Sequence, residues 1–342
     1  MTLRTSRVCR EKRKFGVRRP MKVLFVGGSG RSGTSAFVHR LQVWPAIGNF
    51  LDTELKFFSE IDGFWDLYWN FVEAFSPQRA PAAIARFERL YADVATSSTG
   101  FVGLGEHISR DRLQSLFEPG LSRLKGPAGI EQRVSHDEFM DIVAEMTRAL
   151  ANEISYKPSV PESERVFVEK TPHNLLRIKL LAAIPLDMVF IHVMRDPRIV
   201  AASLAKMPWG PGSLDRSCEW VRQYIFEMQR AFDWARRNNV AIHSLFIETV
   251  ATLKQEHIGY IQRVLGTTGE DHIFDTLHPE TLRKSADALS PEDVNTLNIR
   301  LGAAAVRMGY DPIRLGVRQH EPPDQFQQPD GLAGAGWNTS VS

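Results

Sequence analysis

The sequence predicts an α/β fold: a P-loop-like central parallel sheet flanked by helices, with a helical insertion after the first βα unit. Three observations carry this expectation. Val23-Leu24-Phe25-Val26 is an apolar, partly β-branched run that leads through Gly27, Gly28, Gly30 and Gly33 into a helix-forming stretch at Thr34. From Val166 onward, short strand-like runs alternate with helical ones, the pattern of parallel βα units. Between Pro77 and Lys157 the sequence is long and helical in character, with a loop at Gly126 to Gly129.

In the first unit, glycines allow a tight turn that brings backbone N–H groups close to a ligand. A helix that starts at Thr34 aims its unpaired N–H groups and positive dipole end at that turn. The combination is an anion site, most often one for phosphate. Gly28, four residues and Gly33 have the P-loop frame, but Thr34-Ser35 stands where a lysine and a hydroxyl residue are expected. Arg31 is the only cation in the loop. The loop is therefore suited to a phosphate-like group and poorly equipped for γ-phosphoryl transfer. A Gly/Ser turn without a ligand is the plain alternative.

The first helix is expected over Thr34 to Leu41, ended by Trp44-Pro45. Phe64, Trp65, Tyr68, Trp69, Phe71 and Phe75 recur at roughly helical spacing, which favours a core face and leaves an acceptor-site wall as the alternative. Ser135 to Glu138 has a capping-box pattern ahead of Phe139. Strands are expected at Val166 to Glu169, Met188 to Val193 and Ala241 to Ile247. Helices are expected at His173 to Ala183, Arg198 to Lys206, Asp215 to Arg237, Thr249 to Leu265 and from Ser290-Pro291.

Composition limits the options. Apolar residues make up 43% and charged residues 24% of 342, ordinary values for a globular chain. Cys9 and Cys218 are the only cysteines, so neither a disulfide framework nor a cysteine metal site is expected. Residues 1–20 hold eight Lys/Arg and one acid, a charge of +7, whereas the remainder carries −5. The body thus gives no reason to expect nucleic-acid binding. Residues 1–20 read as a basic disordered tail, or as residues ahead of a true start at Met21. A nucleic-acid or membrane-surface arm and a transit peptide are the alternatives. One folded domain is expected over 21–315, with a disordered C-terminal tail over 316–342. No apolar run reaches the length of a membrane span, and a cytoplasmic location is the expectation.

Two further stretches carry chemistry. In Arg195-Asp196-Pro197-Arg198, a strand ends in a guanidinium and a proline opens a helix, with the Ser203 hydroxyl eight residues after Arg195. If they converge, guanidinium and hydroxyl bind a second phosphate; a surface arginine at an ordinary turn is the alternative. In Val168-Glu169-Lys170-Thr171-Pro172-His173, Lys170 ends a strand. Beside an anion site it stabilises charge on a transferring group; otherwise it is simply solvated.

Taken together, these residues resemble the sulfotransferases that use 3′-phosphoadenosine 5′-phosphosulfate (PAPS). The resemblance runs from Val23 to about Pro312, loosely through the middle helices. It implies that Gly30, Arg31, Ser32, Gly33, Thr34 and Ser35 hold the 5′-phosphosulfate, and that Arg195 and Ser203 hold the 3′-phosphate. Glu169-Lys170-Thr171-Pro172 and Glu54-Leu55-Lys56-Phe57-Phe58 resemble segments of the heparan-sulfate type, which implies that Lys170 assists transfer and Glu54 is the general base. Arg31 joins Lys170 in stabilising the transferring group. His173 and Glu60 stand behind Glu54 as other bases. Ile247-Glu248-Thr249-Val250 sits where the family often has Tyr-Glu-Asp-Leu, so one nucleotide contact differs. Met308 to Pro312 resembles the end of the tyrosylprotein and bacterial types. Neither a γ-phosphate nor obligatory magnesium is implied, and no metal site is expected. The expected partner is a hydroxyl-bearing carbohydrate, glycolipid or small metabolite. The rival readings are a P-loop kinase or NTPase, in which Asp196 would hold magnesium, and a non-catalytic nucleotide-binding protein.

Overall fold

The computed structural model describes residues 21–48, 54–96, 108–126, 129–130, 132–154, 156 and 159–318. Five parallel strands form one sheet: β1 (Lys22–Gly28), β2 (Ile47–Gly48), β3 (Val166–Lys170), β4 (Asp187–Met194) and β5 (His243–Phe246), in the order β2-β3-β1-β4-β5. β1 is central. Its alternate side chains enter opposite layers, as the strand period of two requires. Leu24 and Val26 pack with Phe37, Val38 and Leu41 of α1 (Thr34–Leu41). Val23 and Phe25 pack on the other face with the helical insertion. Each such fully buried side chain contributes about 1.5–3 kcal/mol.

The insertion comprises α2 (Phe64–Tyr68), a π-helical stretch Trp69–Glu73, α3 (Ala80–Thr96), α4 (Arg110–Lys125) and α5 (His136–Asn152). Its centre is aromatic: the Phe64 and Phe87 rings lie 5.2 Å apart and those of Phe87 and Phe117 5.4 Å apart. Phe64 and Phe71 are therefore core, whereas Trp69 is exposed and Trp65 half-buried. Ser109 and Ser135 cap α4 and α5 through their hydroxyls, and α4 stops at Gly126, whose φ of 69° lies in glycine's region.

The second half follows with α6 (Ile178–Leu181), α7 (Pro197–Ala205), α8 (Leu214–Arg237), α9 (Ile247–Thr252), α10 (Lys254–Leu265), α11 (Pro279–Asp287) and α12 (Pro291–Arg307). α12 begins with a reciprocal Ser290–Asp293 capping box.

Four local expectations are corrected. The helix expected from His173 to Ala183 is a 3₁₀ turn, Pro172–Arg177, followed by the single turn of α6. The helix expected from Thr249 to Leu265 is split at Leu253, where the Thr252 hydroxyl bonds back to the carbonyls of Glu248 and Thr249, a local alternative to the helical ladder. Its first part starts at Ile247, so β5 ends at Phe246. Gly316 to Arg318, assigned by sequence to the C-terminal tail, are held on the domain: the Gly316 N–H donates to Asp196 at 2.7 Å, and the Arg318 guanidinium lies 3.4 Å from the Phe246 ring centre. The basic stretch 1–20 and residues 319–342 lie outside the described residues. No helix among the described residues is long and apolar enough to cross a membrane.

Candidate active site

The parallel register brings the chemistry-bearing segments to one end of the sheet. Val26 pairs with Lys170, and Gly28 pairs with Val193. The glycine loop after β1 is thus flanked by the lysine of β3 and by Arg195 just beyond β4, at the C-terminal strand ends where such sheets bind ligands.

The loop is built tightly. A side chain at Gly28 would meet Ser32 Oγ at 2.3 Å and the Val193 carbonyl at 2.6 Å. The Ser32 N–H donates to the Ser29 carbonyl at 2.9 Å. Arg31 and Gly33 take positive φ, 72° and 97°, a strained choice for Arg31. Gly33 is the N-cap of α1 and supplies no side-chain cap, and Thr34 and Ser35 form the first turn. The first N–H groups of α1 therefore have no side-chain partner, as an anion site requires. Gly30 faces the edge of Trp209 without crowding.

Arg31, Arg195 and Ser203 converge. Arg31 Nε donates to Ser203 Oγ at 3.0 Å. Arg195 Nη1 donates to the Arg31 carbonyl at 3.0 Å, and its Nη2 donates to the Leu282 carbonyl in α11. Arg283 and Lys284, the next two residues, are exposed. Ser32 Oγ and Arg195 Nε are buried and lack a hydrogen-bond partner among the described residues. Buried polar atoms normally have partners, so an oxyanion at this loop fits the residues present.

On the other flank, Lys170 Nζ lies 3.4 Å from Glu54 Oε1, with the lysine side chain 4% and the glutamate 20% exposed. The strand behind it docks the Glu54 segment. Thr171 Oγ1 donates to Glu169 at 2.6 Å and accepts the Lys56 N–H at 3.3 Å. Burial pushes the Glu169 carboxyl up to about 7.

Asp196 is committed to structure. Its Oδ1 accepts from Arg198 N and Nε, and its Oδ2 from Arg198 Nη2 and Gly316 N. Arg198 in turn binds the carbonyls of Asp311 and Pro312. The pair is a buried clamp on the C-terminal segment, and this use of both carboxylate oxygens leaves Asp196 ill placed for the magnesium role of an NTPase. Glu248 is a residue whose part the sequence did not disclose. It accepts the Asp196 N–H at 3.1 Å and the Tyr310 hydroxyl at 2.9 Å, so it fixes the turn that carries Arg195. Burial raises its carboxyl to about 7. Ile247, where the resemblance had led to an expected tyrosine, packs at the Gly33 turn.

A sulfotransferase family model matches residues 24–271, a span that contains all four segments. This chain belongs to the sulfotransferase family. Among solved structures it is similar to the sulfotransferase domain of the Synechococcus PCC 7002 olefin synthase, at 16% identity and a TM-score of 0.45, over 87% of this chain and 98% of that one. It is also similar to sulfotransferase STF9 from Mycobacterium avium, at 13% identity and a TM-score of 0.41, over 88% and 78% of the two chains. Sulfotransferase STF1 from Mycobacterium tuberculosis is a third, at 14% identity and a TM-score of 0.37, over 79% and 77%. No curated protein matches this chain.

A cleft of about 630 Å³ opens beside the Glu54 flank, lined among others by Trp65, His173, Arg177, Glu227, Arg230 and Trp234. Glu60 and His173, the alternative bases, lie on this cleft. The His173 ring sits 5.6 Å from that of Trp220, and burial lowers its basicity, opposed by Glu60 and Glu54. Sequence reasoning missed Arg177 and the α8 side chains. Their only signal was that the Pro172–Arg177 turn follows Lys170 directly.

Proposed function

We propose that this sulfotransferase-family chain moves a sulfuryl group from PAPS to the hydroxyl of an acceptor by in-line displacement. The reading is supported above all by one observation: the Arg31–Ser203–Arg195 cluster and the Lys170–Glu54 pair lie on the two flanks of one glycine loop. When bound, the donor supplies the sulfuryl group and a good leaving oxygen.

The N–H groups at Gly33 to Ser35, with Ser32, hold the 5′-phosphosulfate. Arg195 and Ser203 grip the 3′-phosphate and set the register of the nucleotide. Glu54 takes the proton of the acceptor hydroxyl as general base. Lys170 and Arg31 meet the negative charge that develops on the sulfuryl group and on the oxygen that leaves. Lys170 is within reach of Glu54, so one ammonium borders both the proton acceptor and the leaving side. Glu169 and Thr171 position the Glu54 segment, and Glu248 positions the turn of Arg195.

The test is calorimetric titration with adenosine 3′,5′-diphosphate, followed by incubation with ³⁵S-labelled donor and extract of the host cell. The expected result is tight binding of the diphosphate, weaker binding of 5′-AMP, and a labelled hydroxyl product. Equal affinity for 5′-AMP and the diphosphate would refute the role given to Arg195 and Ser203. Tight binding without any labelled product would favour a non-catalytic nucleotide-binding protein.

A further inference from the structure

The cleft beside Glu54 has a composition that identifies a class of acceptor. Arg177 is half-buried in its wall, with its guanidinium carbon 5.1 Å from the centre of the Trp65 ring. Its Nε donates to the Ser59 carbonyl at 3.4 Å. Among the described residues its one hydrogen bond is that from Nε, and Glu60 and Glu227 lie near it without forming an ion pair. Lys179, Arg230 and Arg237 line the same cleft and, among the described residues, form no ion pair either. Four cations and two carboxylates, Glu60 and Glu227, line the cleft together with two tryptophans, Trp65 and Trp234.

Held over an aromatic ring, a guanidinium loses little further freedom when it receives an oxyanion, and its fork matches a carboxylate or phosphate. Tryptophan faces suit the apolar face of a sugar or an aryl ring. The backbone from Pro172 to Arg177 is six residues of 3₁₀ helix, about 12 Å at ~2 Å per residue. An acceptor that reaches from Lys170 to Arg177 runs the length of that turn.

We infer that the cleft receives an extended acceptor that carries an oxyanion, a carboxylate or a phosphate, beside a ring, with Arg177, held on Trp65, and Arg230 gripping the anion and Trp234 flanking the ring. The inference rests on the sulfuryl-transfer reading for the direction in which the acceptor hydroxyl points, and not for the anion preference.

The test compares three probes that differ at one carbon: 4-methylumbelliferyl β-D-glucoside, its 6-carboxylate (the glucuronide) and its 6-phosphate. Affinities are measured by titration, on the free protein and on protein saturated with adenosine 3′,5′-diphosphate. At least one anionic probe is expected to bind about tenfold or more tightly than the glucoside, the scale of one charged hydrogen bond. The tighter of the two names the anion. Arg177→Gln should remove most of that preference while the diphosphate affinity stays unchanged. Arg230→Gln, at an exposed helical position that the fold does not need, should reduce it by several-fold. Equal affinity for all three probes, no binding by any of them, or a preference that survives both substitutions would overturn the proposal. Failure of the diphosphate to bind would count against the donor reading alone, because the anion preference is also read on the free protein.

Discussion

The Arg31 guanidinium donates to the Ser203 hydroxyl at 3.0 Å, although the two residues are 172 positions apart in the chain. This bond ties the glycine loop to α7, and Arg195 reinforces it by donating to the Arg31 carbonyl. Ser203→Ala should therefore weaken adenosine 3′,5′-diphosphate binding by about tenfold or more, the cost of a hydrogen bond to a charged group, and should leave 5′-AMP binding nearly unchanged. Titration of both nucleotides checks this; an equal loss for the two would mean that Ser203 only supports the loop.

Glu54→Gln should bind the diphosphate almost normally and turn over about two to four decades more slowly, as expected when an acid–base group is lost. The neighbouring Lys170 lies 3.4 Å away and would remain in place. Single-turnover rates with a fixed acceptor decide the matter. Full activity in the variant would move the base role to His173 or Glu60, both on the adjoining cleft.

Gly33 has a φ of 97°, and a side chain there would meet Ile247 Cγ1 at 2.9 Å. Gly33→Ala should destabilise the protein by roughly 1–3 kcal/mol through backbone strain and crowding. It should also weaken diphosphate binding, because the N–H groups it would displace open α1. Urea denaturation and nucleotide titration of the same variant read the two effects separately.

Asp196 and Arg198 are both fully buried and 2.9 Å apart. Asp196→Ala would strand a buried guanidinium, with a cost of about 3–5 kcal/mol. The C-terminal segment should loosen first, since Asp196 also receives the Gly316 N–H. Hydrogen exchange over residues 311–318 would show it; protection equal to the wild type would contradict the clamp.

The Glu248 carboxyl is raised by burial to about 7 from an ordinary 4.5. Below pH 4.5 both folded and unfolded chains hold the proton. Between about 4.5 and 7 the unfolded chain releases it while the folded chain keeps it, so this group's contribution to stability declines as pH rises. Glu248→Gln does not titrate and retains a carbonyl to accept one of the two bonds. Its stability relative to the wild type should therefore improve from pH 5 to pH 8. A denaturation series at both pH values tests the sign, and a difference that does not change with pH would rule out this titration.

Much of the fold could be read from local pattern. Val23 to Val26 is apolar at every position because β1 is central and buried on both faces. The serine caps at Ser135 and Ser290 announced their helices because capping depends only on neighbouring N–H groups. By contrast, α11 and the two-residue β2 carried no such signal. The split at Leu253 also escaped, since the competing Thr252 hydroxyl bonds are weak beside a strong apolar period. The aromatic stripe illustrates the middle case. Its spacing indicated a helix face, but only packing separated Phe64 and Phe71, which are core, from Trp65, which lines the cleft.

By itself the sequence determined the glycine loop, the identity of the residues around it and their family resemblance, because those depend on spacing within single segments. Only the tertiary structure decided what those segments do to one another. The parallel register set Lys170 beside the loop, long-range hydrogen bonds joined Arg31 to Ser203, Asp196 was taken up by Arg198, and Arg177 came to stand over Trp65. Each of these depends on distances across strands and helices far apart in the chain, and local propensity carries no information about them.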